Sequence, residues 1–142
     1  MSHLSLMCLF CATVAFLLLG DVDVARADRF DDDLLGLINS YRSAKKLKPL
    51  ASSPLYDDLA REHSQTMQER QSLSHDGFDD RFRRAVDASS CVENVGWNHE
   101  TPKSLFDAWR KSSGHNRNML DRRIRRAGIA RSGTYSTFFA CY

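Results

Sequence analysis

From Leu34 onward the apolar residues recur at helical spacing. Leu34, Ile38 and Tyr41 define one stripe, and Leu35 and Leu37 broaden it. The segment DRFDDDLLGLINSYRSAKKLKPL begins with acids and ends with bases, which suits a helix macrodipole, and Pro49 stops it. Ser53-Pro54 supplies an N-cap and a first-turn proline for a second helix. On that helix Leu55, Leu59, His63 and Met67 recur every four residues. SLSHDGFDD reads as a loop, DDRFRRAV as a short and strongly charged helix, and SSCVENVGW as extended or irregular chain. Thr101-Pro102 repeats the cap-plus-proline signal and opens a helix carrying Leu105, Phe106 and Trp109. Ser113-Gly114 ends that helix, and a polar step from His115 leads to Leu120. RRAGIARSG and TYSTFFACY then read as two antiparallel strands turning at Ser132-Gly133. Tyr135, Thr137, Phe139 and Cys141 share one face of the second strand; Ser136, Phe138, Ala140 and Tyr142 share the other. Both faces carry apolar residues, so this strand is expected to be covered on both sides. Helices followed by helix and strands predict an α+β domain built in layers.

The first residues depart from this pattern. LSLMCLFCATVAFLLLG holds no charge, is slightly short for a membrane span, and is followed by VARA, with Ala25 and Ala27 placed as at a signal-peptidase site. Residues 1–27 are therefore expected to be a secretory signal peptide and residues 28–142 a single domain. No Lys or Arg precedes the apolar run, and an uncleaved anchor is the alternative. Loss of Arg26, Asp21 and Asp23 would move the formal charge from +2 to +3, too little to imply a polyanion or nucleic-acid partner. Cys8 and Cys11 would leave with the leader. In a secreted domain the remaining pair, Cys91 and Cys141, reads as one disulfide, with two buried thiols as the alternative.

Four histidines remain in the expected domain. His63 lies on an apolar stripe and reads as a packed core residue. His99-Glu100 resembles the start of a zinc-protease HExxH motif, which fails because Lys103 occupies the fourth following position. His75 and His115 each sit at a loop or helix edge beside a glycine. Glu93 lies between valines in VENV, where an unpaired charge would be costly, and two imidazoles would suit it as partners. Two neutral histidines and a carboxylate also match the ligand set of an open zinc site. Ser112 and Ser113 precede His115, but adjacency does not make a nucleophile–base pair and no G-x-S-x-G elbow exists. The basic stretch DRRIRRAGIAR reads as a solvated face.

Taken in order, LINSYRSAKKLKPL, SPLYDDLAREHSQTM, SLSH, ENVGW, LFDAWRKSSGHNRNML and RRAGIA resemble the CAP superfamily of cysteine-rich secretory, antigen 5 and pathogenesis-related class 1 proteins. The resemblance runs from about Leu34 to Tyr142 and is strongest to the short, bacterial-type branch. It implies a three-layer α-β-α sandwich with a small central antiparallel sheet. It also implies a cleft in which the family's histidines fall on His75 and His115 and one glutamate on Glu93. The second glutamate of many relatives falls on Ser112, so this chain departs from a four-residue metal site.

The resemblance implies a secreted, monomeric, extracellular binding module for a sterol or lipid, or for a host or cell-wall partner. The cleft residues would be His75, Glu93, His115 and Ser112. The runner-up is a zinc-dependent hydrolase or peptidase in which His75, Glu93 and His115 hold a divalent cation. A purely structural histidine–glutamate cluster is the third reading. No activated nucleophile or oxyanion donor is legible, so binding is favoured over turnover.

Overall fold

The computed structural model describes residues 29–142, and the expected leader lies outside the described residues. It opens on helix α1, residues 29–44, which buries Phe30, Leu34 and Ile38 as the apolar stripe requires. Lys46, with a left-handed φ of 61°, turns the chain before Pro49 is reached. Strand β1, Ala51–Ser52, is short. Helix α2, Pro54–Arg70, starts on its first-turn proline, although the Ser53 side chain makes no capping hydrogen bond. Helix α3, Phe78–Arg84, follows a loop, and strand β2 spans Cys91–Trp97.

Helix α4, Pro102–Lys111, is capped as expected: Ser104 N–H donates to Thr101 Oγ1 at 3.1 Å. The joint after it differs from expectation. One extended residue, Ser112, separates α4 from helix α5, Ser113–Met119, so Ser113 and Gly114 belong to the next helix. Ser112 both ends one helix and starts the other because its carbonyl already accepts the Asn116 N–H at 2.8 Å.

Strands β3, Arg126–Ser132, and β4, Tyr135–Cys141, form the expected hairpin. Ser132 pairs with Tyr135, so the turn residues are Gly133 and Thr134, one position later than expected. Gly133 takes the positive φ of 56° that such two-residue hairpin turns favour. The sheet order is β1-β3-β4-β2. It is mixed rather than wholly antiparallel, because β1 runs parallel to β3 while the other pairs are antiparallel. Two residues of pairing carry too little hydrophobic pattern to be read from sequence.

Every residue of β4 is buried, as its two apolar faces demand. One face packs Phe139 and Cys141 with Tyr56, Leu59 and Ala60 of α2. The other packs Phe138 and Ala140 with α1, α4 and α5 through Leu34, Ile38, Leu105, Trp109 and Met119. These are the three layers. Gly128 sets how closely α2 and β3 approach, since a Cβ there would lie 2.0 Å from the Tyr56 carbonyl carbon. Cys91 and Cys141 are direct cross-strand partners and form the expected disulfide, with Cα atoms 4.1 Å apart. Among the described residues no helix is long and apolar enough to cross a membrane.

Candidate functional site

Strand β2 is an edge of the sheet, with β4 on one side only. Helices α4 and α5 cover the other side. Trp109 Nε1–H donates to the Val95 carbonyl at 3.0 Å, and Asn118 Nδ2 donates to the Glu93 carbonyl at 3.0 Å. Asn118 also donates to Asn94 Oδ1 at 2.9 Å, while Asn94 Nδ2 donates to the His115 carbonyl at 3.0 Å. An otherwise bare strand edge is thereby closed by side chains, which removes its tendency to pair with another chain.

Glu93 sits on this strand with its side chain buried. Its carboxylate is taken by two side chains. Arg81 of α3 donates twice, from Nε to Oε2 at 2.7 Å and from Nη2 to Oε1 at 2.9 Å. His75 Nδ1 lies 2.8 Å from Oε1, and because a carboxylate only accepts, that nitrogen carries the hydrogen. The third Arg81 nitrogen, Nη1, donates to the Asp76 carbonyl at 2.9 Å and ties α3 to the loop that carries His75. His63 completes the cluster from α2. Its Nε2 donates to the Ser74 carbonyl at 2.8 Å and stands 3.8 Å from Glu93 Oε1. His63 is therefore the buried core residue expected and a neighbour of the site as well. Burial pushes its pKa below the ordinary value, outweighing the attraction of Glu93.

Glu93 thus has a partner, as its place between valines demanded. His75 is that partner in part, and Arg81 is the larger one. His115 is placed differently from expectation. It makes no ion pair with Glu93, and its ring leans on Trp109 at a centroid distance of 6.3 Å. Burial lowers its pKa, and nearby His75 lowers it further, so the two imidazoles feel each other's charge. Ser112 lies half-exposed at the joint that positions His115. The side chain of His75 is 53 % exposed.

A resident divalent metal does not fit these residues. Among the described residues no group of three or more His, Cys, Asp and Glu side chains is arranged to hold one. Glu93, the one acid in the expected ligand set, is held bidentately by a guanidinium. Two open pockets lie on the domain, the first beside this cluster. One of about 270 Å³ opens between α2 and α3, with His63 and Arg81 in its wall beside Glu62, Arg70, Asp80 and Arg84. The other, of about 260 Å³, lies by Asp32, Asp57 and Arg61. Neither is lined by His75, Glu93 or His115.

Sequence comparison now decides the family. The profile of the cysteine-rich secretory protein family, CAP, matches residues 35–142. The chain belongs to the CAP family. YkwD of Bacillus subtilis is 26% identical over 106 residues, which cover 70% of this chain and 41% of YkwD. An extracellular SCP-domain protein of Bacillus anthracis superposes with a TM-score of 0.77 at 25% identity, over 81% of this chain and 41% of that one. A cysteine-rich secretory protein of Staphylococcus aureus gives a TM-score of 0.74 at 18% identity, over 81% and 38% of the two chains. An outer surface protein of Borrelia burgdorferi gives 0.71 at 17% identity, over 78% and 90%. This CAP chain spans about two-fifths of the curated relative it matches.

Arg81 is the site residue that the sequence reading missed. Phe78, Arg81 and Ala85 fall at helical spacing on one face of a segment dominated by charge. Phe78 packs edge-on against Phe139 and Ala85 is buried, so the position between them faces inward too. That spacing was the available signal.

Proposed function

We propose that this CAP chain is a secreted, non-enzymatic binding domain that presents the His75–His115 surface to a partner outside the cell, in the first place a cell-wall polymer. The observation that carries the reading is the full engagement of Glu93 by Arg81 and His75. A hydrolase built on these residues needs Glu93 as a general base or as a metal ligand, and either role would break a buried bidentate ion pair. What remains outward is one exposed imidazole and one half-buried imidazole beside Ser112, which are hydrogen-bonding groups for a polar surface.

Export is supported by the apolar leader pattern in residues 1–27 and by a disulfide, which suits an oxidising compartment. The Bacillus anthracis relative is described as extracellular and the Borrelia protein as an outer surface protein, which points the same way. Sterol or lipid binding is the lesser reading. A site that engulfs such a ligand is predominantly apolar, whereas charged side chains line both pockets.

The test uses the protein purified after export, sedimented with insoluble cell-wall sacculi and, separately, with sterol-containing vesicles. Wall co-sedimentation that weakens in His75→Ala and His115→Ala is the expected result. Retention by vesicles alone would replace the wall with a lipid. Turnover of a peptide or ester substrate that is lost in Glu93→Gln would overturn the binding reading.

A further inference from the structure

We infer that Arg81 is the resident cation of this site: its guanidinium takes the position at Glu93 that a divalent metal would need, and it fastens the α3 segment and His75 to the sheet. The inference goes beyond the binding role and stands whether or not a wall partner is found.

Geometry carries it. Three side chains from three elements converge on one carboxylate oxygen: Arg81 Nη2 at 2.9 Å, His75 Nδ1 at 2.8 Å and His63 Nε2 at 3.8 Å. Without Arg81, the residue types left around Oε1 are two imidazoles and one carboxylate, types that zinc takes. Both ring nitrogens donate as they stand, His75 Nδ1–H to Glu93 and His63 Nε2–H to the Ser74 carbonyl, and would have to give up those hydrogens to ligate. With Arg81 present the carboxylate is neutralised and both of its oxygens are occupied, so a dication would add net positive charge to a buried place. Arg81 is itself buried, with 7% side-chain exposure, and its planar fork matches the carboxylate in two parallel bonds. A lysine could supply the charge but not the fork.

The same residue is the main tie between α3 and the rest of the domain. Phe78, with Ala85 just past its end, packs this seven-residue helix on the α2 face of the sheet. The other charged tie from α3 to α2, Arg84 to Glu62, is exposed and so weakly held. Arg81 links the helix to β2 through Glu93 and to the His75 loop through the Asp76 carbonyl. It acts on His75 through these partners and is a positioning residue.

The experiment is zinc titration by calorimetry on the exported, disulfide-bonded protein and on Arg81→Ala and Arg81→Met. Wild type is expected to take up no stoichiometric zinc at micromolar concentration and to show no zinc-dependent rise in Tm. The variants are expected to gain one-to-one zinc binding, weakened at least about tenfold by a second change, Glu93→Gln or His75→Ala. Hydrogen exchange over residues 74–88 should speed up in the zinc-free variants and slow again with zinc, which a merely structural arginine would not produce. One-to-one zinc binding by the wild type through His75 would overturn the inference, as would folded variants that bind none. If both variants fail to fold, the wild-type titration and Tm still decide it: a zinc-induced rise in Tm that His75→Ala abolishes refutes the assignment.

Discussion

Removing the Cys91–Cys141 bridge tests how this small domain is held together. The two residues face each other at the ends of β2 and β4, and the bond closes a loop with a sequence separation of 50. In the chain-entropy account, a loop of that length restricts the unfolded chain by about 4 kcal/mol at 25 °C. A domain of this size is stable by only about 5–15 kcal/mol, so the bridge is a large fraction of the total. The folded state has little to lose directly. Backbone bonds from Ser89 N–H to the Tyr142 carbonyl and from Tyr142 N–H to the Ser90 carbonyl hold the same strand ends without it. The double variant Cys91→Ala/Cys141→Ala should therefore keep the native circular dichroism while its urea midpoint falls by the equivalent of about 4 kcal/mol. In Tm this is a drop of roughly 15–20 °C. A loss below about 1 kcal/mol would refute the loop-closure reasoning.

Other outcomes follow from the packing and the buried imidazoles. His63 and His115 both have pKa values pushed below the ordinary 6.5 by burial. The unfolded chain then binds more protons than the folded one just below that value. Stability should accordingly be complete above pH 6.5 and fall as pH drops, by up to about 1.4 kcal/mol per pH unit for each histidine. A Tm–pH series should show this acid limb, and His63→Gln should flatten it. Gly128→Ala would drive a Cβ into the Tyr56 and Asp57 backbone and should cost about 3 kcal/mol or more or leave the protein insoluble. Its control, Gly114→Ala in α5, meets no atom within 4 Å and should stabilise by up to about 1 kcal/mol in the same melt. Trp109→Phe keeps a ring in the core but strips the donor from the Val95 carbonyl, so urea unfolding should show a loss of about 1–3 kcal/mol.

Much of this architecture was legible in the residue pattern because local signals and tertiary burial agreed. The stripe through Leu34 and Ile38, the Thr101 cap and the doubly apolar β4 each describe an environment that the structure supplies. Where the reading shifted, two local signals competed. Ser112, Ser113 and Gly114 are all helix breakers by propensity, and only the hydrogen bond to Asn116 decides which of them carries the break. Similarly, Ser132-Gly133 and Gly133-Thr134 are both acceptable turns, and strand register selects the second. The site was harder to read because its partners come from separate elements. Glu93 announced a need for a partner, but an arginine within FDDRFRR looks like any solvated charge until its face of the helix is known. Asn94 and Asn118 carry no sequence signal at all, since their roles exist only once α5 lies along the edge of β2.

Charge balance accounts for an arginine at a site that holds one buried acid. The resemblance places a second glutamate at Ser112, and two acids with two neutral imidazoles call for a dication. With one acid, a single guanidinium brings the buried charge to zero. It does so through directed bonds of 2.7 and 2.9 Å that also fix the orientation of the carboxylate. The remaining acceptor capacity at Oε1 is then used by His75 Nδ1–H, which ties that half-exposed ring to the site. A buried ion pair of this kind adds little net stability, since the desolvation of both groups offsets most of their attraction. Its effect is specificity of arrangement: it places one imidazole on the surface, beside a second on α5, without requiring anything from solution to hold it there.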